Sequence, residues 1–351
     1  MKASLYTEYG TPDVLHLAEV KKPAPKDNEI LIRIHATTVN FGDLLGRNFK
    51  AVTPRKFNMP FFFWLPARLA FGLNKPRQPI LGSEFAGEVE AVGATVTRFK
   101  VGDQVFGYSG QSMGAYAEYV CMPERGTVSI KPANMTYEEA AAIPYGAIMA
   151  LSLLRKANIQ PGHKVLINGA SGGIGSAAIQ LAKHFGAEVT GVCGTPRLGF
   201  VKSLGADRVI DYTQEDFTQN GETYDLIFDI LGKSSFPHIK RSLKSNGILL
   251  FASFKTKQLL QMLWTSRIGS QKVICALAPG SREDLLTVKE LVEAGKITAI
   301  IDRCYPLEQA AEAHRYVESG RKAGNVVITV VTSPARCRDG AATVISSFPR
   351  C

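Results

Sequence analysis

The clearest chemical signal in the chain is Gly169-Ala170-Ser171-Gly172-Gly173-Ile174-Gly175. It follows an apolar run, Lys164-Val165-Leu166-Ile167-Asn168, and leads into an amphipathic stretch. A second apolar run ends about 20 residues later, the spacing of a βαβ phosphate-binding unit. Glycines spaced G-x-x-G-x-x-G permit a tight turn and let backbone N–H groups approach a diphosphate. A helix starting near Gly173 adds its partial positive charge. The competing use of such glycines is close helix–strand packing alone.

The tip of the next strand reads Gly191-Val192-Cys193-Gly194-Thr195-Pro196-Arg197. An Asp or Glu at that tip would hydrogen-bond the ribose 2′-hydroxyl of NAD, and here the tip carries none. Thr195 can donate a hydrogen bond and Arg197 can pair with a 2′-phosphate, so the expected cofactor is NADPH. Arg197 as a solvated first-turn residue is the bland alternative.

These residues need a scaffold. From about Lys131 to Ala278, strand-like runs alternate with helical ones. The strands are expected at 164–168, 188–193, 208–211, 226–229, 248–252 and 272–277, and the helices at 174–185, 197–204, 236–243 and 255–264. That alternation predicts a six-stranded parallel sheet covered on both faces. Up to about residue 125 the pattern is short and glycine-punctuated, with Glu29–Ala36 alternating at period two, which predicts a mostly antiparallel barrel or sandwich. Further helices are expected at 282–294 and 307–319, and a last strand at 325–331, which returns to the N-terminal barrel. The expected organisation is therefore a mostly-β domain over 1–125 completed by 281–331, a dinucleotide-binding domain over 126–280, and a disordered tail over 332–351.

The chain has 351 residues, 45% of them hydrophobic and 21% charged, as in a globular protein of two domains. Its net charge of +10 comes from 41 basic and 31 acidic residues. The cations are scattered, so a phosphorylated cofactor and a basic surface account for the charge better than nucleic acid. No run approaches the length of a spanning helix, and stable membrane insertion is not expected. Cys121, Cys193, Cys275, Cys304, Cys337 and Cys351 form no CxxC pair, which points to free thiols and a cytoplasmic protein. The segment Pro60–Leu73, PFFFWLPARLAFGL, reads as a buried or dimer-covered excursion, a lid over a substrate pocket, or a membrane-surface contact.

Several blocks in order resemble one superfamily. Gly82-Ser83-Glu84-Phe85-Ala86-Gly87-Glu88-Val89 is followed by Val101-Gly102-Asp103-Gln104-Val105-Phe106-Gly107 and Gly114-Ala115-Tyr116-Ala117-Glu118-Tyr119. Ala140-Ala141-Ala142-Ile143-Pro144, Lys202-Ser203-Leu204-Gly205-Ala206-Asp207 and Asp229-Ile230-Leu231-Gly232 come after them. Together they cover nearly all of residues 1–331 and resemble the medium-chain dehydrogenase/reductase superfamily. The resemblance implies an α/β fold with a GroES-like barrel domain and a Rossmann domain. Zinc members carry His where this chain has Ser83 and Cys where it has Asn40 in Val39-Asn40-Phe41-Gly42-Asp43, and no four-cysteine lobe is present. The ligands a zinc site needs are missing, so no metal is expected. The Asn40/Asp43 pair is similar to that of the zinc-independent quinone oxidoreductase branch.

By that resemblance, Asn40 hydrogen-bonds a substrate carbonyl near the nicotinamide and Asp43 is a structural turn residue. Tyr145 is a candidate proton donor, with packing as its alternative. Ser171, Gly172, Gly173 and Ile174 are expected at the pyrophosphate, with Gly194, Thr195, Arg197 and Tyr212 at the adenosine phosphate. Gly232, Ser253 and Leu277 are expected at the nicotinamide, and Lys322 and Asn325 over the cofactor. Met149 stands where the family usually has Thr. The implied activity is NADPH-dependent hydride transfer to a quinone. The alternatives are reduction of a 2-alkenal or enone double bond, and an NADPH-binding module with a structural or nucleic-acid role. A homodimer is implied through the sixth strand, Lys272–Leu277.

Overall fold

In the computed structural model of the protein, residues 1–331 are described. The expected tail, 332–351, lies outside the described residues, as do Cys337 and Cys351. The first part runs β1 (Lys2–Leu5), β2 (His16–Glu19), β3 (Glu29–Val39), α1 (Phe41–Arg47), α2 (Trp64–Phe71), β4 (Glu84–Val92), β5 (Gln104–Tyr108), β6 (Tyr119–Pro123) and β7 (Val128–Ile130). The middle part runs α3 (Tyr137–Ala141), α4 (Pro144–Lys156), β8 (Lys164–Asn168), α5 (Gly173–His184), β9 (Glu188–Cys193), α6 (Leu198–Ser203), β10 (Arg208–Asp211), β11 (Tyr224–Asp229), α7 (Phe236–Ile239), β12 (Leu243–Phe251), α8 (Thr256–Thr265) and β13 (Lys272–Cys275). The chain closes with α9 (Arg282–Glu293), β14 (Ile301–Pro306), α10 (Ala310–Glu318) and β15 (Asn325–Thr329).

Two domains result. The Rossmann sheet is parallel throughout, in the order β10-β9-β8-β11-β12-β13. Its central strands bury both faces: Val165, Leu166 and Ile167 have no exposed surface, which is why they read as unbroken apolar runs. α5 lies on this sheet through Ala177, Ala178, Ile179, Leu181 and Ala182, whose small side chains let helix and sheet approach closely. In the GroES-like domain, β14-β15-β3-β4-β5-β7 form a seven-stranded sheet with β6 also on β3. β15 pairs antiparallel with β3, Val326 opposite Val39 and Thr329 opposite Ala36.

Four features depart from the sequence expectations. β14 was not anticipated: its half-buried IDRCYP gives no alternation to read. α1 and α2 interrupt a part read as all strand. β13 stops at Cys275, short of Leu277. Cys121, Cys193 and Cys275 are free thiols, but Cys304 is disulfide-bonded.

Candidate active site

β8 ends at Asn168, and Gly169 turns the chain with φ of +95°, a left-handed conformation open to glycine. Gly175 lies against this turn: a Cβ there would stand 2.2 Å from the Gly169 carbonyl oxygen. α5 begins at Gly173 with Gly172 as its N-cap, and no side chain caps it. The first N–H groups of a helix have no intrahelical acceptor, so this end is an anion site. The C-terminal part clasps the turn: the Gly324 N–H donates to the Ser171 carbonyl at 2.9 Å. Asn325 anchors through its Nδ2, which donates to the Ile300 carbonyl at 3.2 Å.

At the tip of β9, Arg197 donates from Nη2 to the Gly320 carbonyl, which fixes the guanidinium at the rim. Its Nε is buried and has no partner among the described residues. A buried donor on a cation left unpaired beside a helix N-terminus fits an anionic group of a dinucleotide, and the cradle that glycine leaves at 175 fits its diphosphate. Thr195 is otherwise occupied: its hydroxyl donates to Asp211 at the end of β10. That carboxylate also accepts from the Thr213 N–H at 3.0 Å, and these bonds hold it below the usual carboxylate range.

The opposite end is built around two buried carboxyl groups. Asn40 caps α1: its Oδ1 accepts from the Gly42 N–H at 2.8 Å, and Asp43 accepts from the Asn40 N–H at 2.9 Å. Asp43 also accepts from the Gly82 N–H at 2.9 Å. Asn40 Nδ2 donates to Ser83 Oγ at 2.7 Å, so both ends of its amide are engaged within the protein. Glu84 accepts from the Thr38 hydroxyl, and from the Tyr145 N–H at 2.8 Å. Burial pushes Asp43 and Glu84 each up to about 7, against the pull of those donors. Tyr145 is raised to about 12, first by burial and then by the charge of Glu84, so its hydroxyl stays a donor. Burial lowers the half-buried Lys322 while Glu84 and Asp302 pull it back up.

Behind this end runs a buried chain of polar groups. Arg47, 1% exposed, approaches His314 Nδ1 at 2.9 Å and also pairs with Glu318. Because Arg can only donate, Nδ1 must accept, and the imidazole carries its proton on Nε2, 3.0 Å from the Tyr116 hydroxyl. Burial and the Arg47 charge keep His314 neutral, well below its ordinary value. α10 is thereby locked to α1.

One cavity of about 550 Å³ joins the two ends. Of the residues expected at the site, it is lined by Asn40, Tyr145, Ser171, Gly172, Gly173, Ile174, Gly194, Arg197, Tyr212, Ser253, Lys322 and Asn325. Thr195, Gly232 and Leu277 are not in its wall. Gly232 instead shapes the turn after β11, where its N–H donates to Asp229 Oδ1 at 3.1 Å. Leu277 lies beyond β13 with its carbonyl bonded to Lys156 Nζ at 2.7 Å. The wall also holds Asn58, Leu231, Val317 and Gly320, which the sequence reading passed over, with Glu84 behind Tyr145.

Residues 26–132 match the family model of the alcohol dehydrogenase GroES-like domain, and residues 204–328 that of a zinc-binding dehydrogenase. The 2-methylene-furan-3-one reductase of Solanum lycopersicum is 32% identical, over 93% of this chain and 79% of its own length. The chloroplastic quinone-oxidoreductase homolog of Spinacia oleracea is 32% identical, over 93% of this chain and 98% of its own. The structure of Escherichia coli quinone oxidoreductase complexed with NADPH superposes with a TM-score of 0.78 at 26% identity, covering 94% of this chain and all of that one (100%). The chain belongs to the quinone oxidoreductase branch of the medium-chain dehydrogenase/reductase superfamily.

In this reductase, the two positions that resemble zinc ligands elsewhere are Asn40 and Ser83, hydrogen-bonded to each other. Among the described residues, no three His, Cys, Asp or Glu side chains gather into a metal-holding group. Met149 packs against the core and is absent from the cavity wall. As an oxidoreductase of this family, the chain works on a small molecule with a nicotinamide cofactor. No helix among the described residues is long and apolar enough to cross a membrane.

Proposed function

We propose that this reductase uses NADPH to reduce a quinone. The observation that carries the reading is the single cavity running from the uncapped N-terminus of α5 and the unpaired Arg197 Nε to Tyr145 and Lys322. Gly172, Gly173 and Ile174 hold the diphosphate, Arg197 faces the 2′-phosphate, and Ser253 and Leu231 flank the nicotinamide end. When bound, NADPH supplies the hydride.

The chain's own residues handle the charge that follows. Reduction leaves negative charge on the acceptor's carbonyl oxygen. The Tyr145 hydroxyl, held protonated, donates to it, and the Lys322 ammonium adds a favourable field in a partly desolvated pocket. Asn40 acts mainly through position: with its amide bonded to Gly42 and Ser83, it fixes the start of α1 and one wall of the pocket. The final proton comes from Tyr145 or from solvent.

The tomato relative, named a furanone reductase, favours a second reading in which the acceptor is an activated alkene. The test follows NADPH oxidation with a naphthoquinone and with a short 2-alkenal in parallel. Faster turnover of the quinone is expected; faster turnover of the alkenal moves the assignment to the second reading. NADPH binding with neither acceptor reduced would leave the binding-module reading. Replacing Arg197 by Ala should lower kcat/KM for NADPH by about 10- to 100-fold and leave NADH nearly unchanged. An equal loss for both cofactors would count against the 2′-phosphate role.

We also infer a homodimer through β13. This strand is an open edge of the parallel sheet, and α8 beside it exposes Leu260, Leu263 and Trp264, with exposed Ile268 just after the helix. Light scattering that returns the mass of one chain would refute it. A cytoplasmic setting belongs to the same reading and is tested by cell fractionation.

A further inference from the structure

A second surface lies beside the pocket mouth and takes no part in the chemistry above. Between Asp43 and Glu84 the sequence contains no acidic residue and seven basic ones. Within this stretch, a short 3-10 turn, Phe61–Phe63, runs straight into α2. Neither element has a single buried residue.

The faces of α2 are unequal in a way that burial does not explain. Trp64, Arg68 and Phe71 turn inward: the Trp64 indole donates to the Val52 carbonyl at 2.7 Å, Arg68 lies over the rings of Tyr9 and Phe49, and Phe71 stacks on Phe49. The one cation of the helix thus faces the protein. The outward face is wholly apolar, presenting Phe61, Phe62, Phe63, Leu65, Leu69 and Leu73, with Phe61 63% and Leu65 55% exposed. The chain before and after it carries the exposed cations Lys50, Arg55, Lys56, Lys75 and Arg77. An ordinary solvent-facing helix has the opposite arrangement, charged outside and apolar inside.

We propose that this face docks the protein onto the surface of an anionic lipid bilayer. Aromatic and leucine side chains at this density partition into the boundary between headgroups and acyl chains, and a flanking stretch of cations without acids is attracted to anionic headgroups. Neither property alone would select a bilayer. An apolar face with acids near it would suit a protein partner, and cations without an apolar face would suit a soluble anion. The helix is far too short to span, so attachment is peripheral and reversible.

The position gives the docking a use, and this clause rests on the reductase reading. Asn58, three residues before the 3-10 turn, lines the cavity and accepts from the Ser253 hydroxyl at 3.0 Å through its carbonyl. Phe41, 51% exposed, lines the same cavity. A lipid-dissolved quinone would therefore reach the pocket from the membrane side.

The test uses the full chain and sedimentation with vesicles, without cofactor or acceptor, so that failure of the reductase reading leaves the result intact. Vesicles of phosphatidylcholine alone are compared with vesicles also containing phosphatidylglycerol. The expected result is binding to the anionic vesicles that is at least tenfold tighter and that weakens with added salt. The combined variant Phe61→Ser, Phe62→Ser, Leu65→Ser should weaken binding at least tenfold, with an unchanged melting transition as the check on folding. Lys50→Gln with Arg55→Gln and Lys56→Gln should cost about fivefold per cation removed. No sedimentation with anionic vesicles, or binding unaffected by the serine variant, overturns the proposal. So does a wild-type dimer that ignores vesicles and that the serine variant splits, because a second copy then covers the face. In a further arm, the serine variant should slow reduction of a long-chain quinone carried in vesicles while sparing a water-soluble quinone.

Discussion

Glu84 offers the most direct test of how the reactive end is built. Burial lifts its carboxyl from 4.5 to about 7. The folded chain therefore holds this proton more tightly than the unfolded chain does. Below about pH 4.5 both states are protonated and the group contributes nothing to the pH dependence. As pH rises towards 7 the unfolded state ionises first, and stability falls. Above about 7 the penalty is complete and flat. At 1.36 kcal/mol per pKa unit, the shift corresponds to about 3 kcal/mol. Replacing Glu84 by Gln removes the titration and keeps the shape: the amide oxygen accepts from the Tyr145 N–H, and the Thr38 hydroxyl rotates to accept from the amide nitrogen. Urea unfolding at intervals from pH 4.5 to 8 measures the difference between variant and wild type. That difference should move in favour of Glu84→Gln by up to about 3 kcal/mol across the window, whatever its starting value. Asp43 shifts in the same direction and is pushed up in part by the Glu84 charge, so the difference reports Glu84 together with its coupling to Asp43. A difference that does not change with pH would refute the claim that Glu84 is buried as a neutral acid.

Other outcomes follow from the same geometry. Gly175→Ala would drive a methyl group into the Gly169 carbonyl, opening the turn from the helix; titration by fluorescence should show NADPH binding at least tenfold weaker. Tyr145→Phe should fold normally and lower kcat/KM by about a hundredfold, the usual cost of one oxyanion donor; an unchanged value would assign Tyr145 to packing. His314→Leu strips a partner from both Arg47 and Tyr116 and should destabilise the fold by about 3 kcal/mol in chemical unfolding.

The parallel sheet was legible because its strands are buried on both faces: β8, β9 and β10 start and stop where their apolar runs do. The phosphate turn was legible for a related reason, since glycine spacing between a strand and a helix has few other uses. The reactive end was harder to read. Asn40 and Asp43 could be paired with the family pattern, but their capping box and the bond from Asn40 to Ser83 depend on β3 and β4 lying side by side. Glu84 was hidden inside a signature block, and its link to the Tyr145 backbone spans 61 residues. Thr195 was read towards the cofactor because local sequence cannot show that Asp211, on the neighbouring strand, captures its hydroxyl. β14 carries no alternation because its side chains are half-buried on both faces alike.

The pairing of β15 with β3 constrains how the molecule is made. The strands of the first part are all synthesised by Ile130, yet β3 waits for Asn325–Thr329 before that edge is covered. At roughly 5–20 residues per second, the ribosome takes about 10–40 s to deliver the missing strand. During that interval the nascent chain presents an unprotected strand edge while the nucleotide-binding sheet, whose six strands all come from the continuous stretch 164–275, is free to form. Early termination anywhere before residue 325 would leave the edge open permanently and make the product a target for aggregation or for chaperone capture.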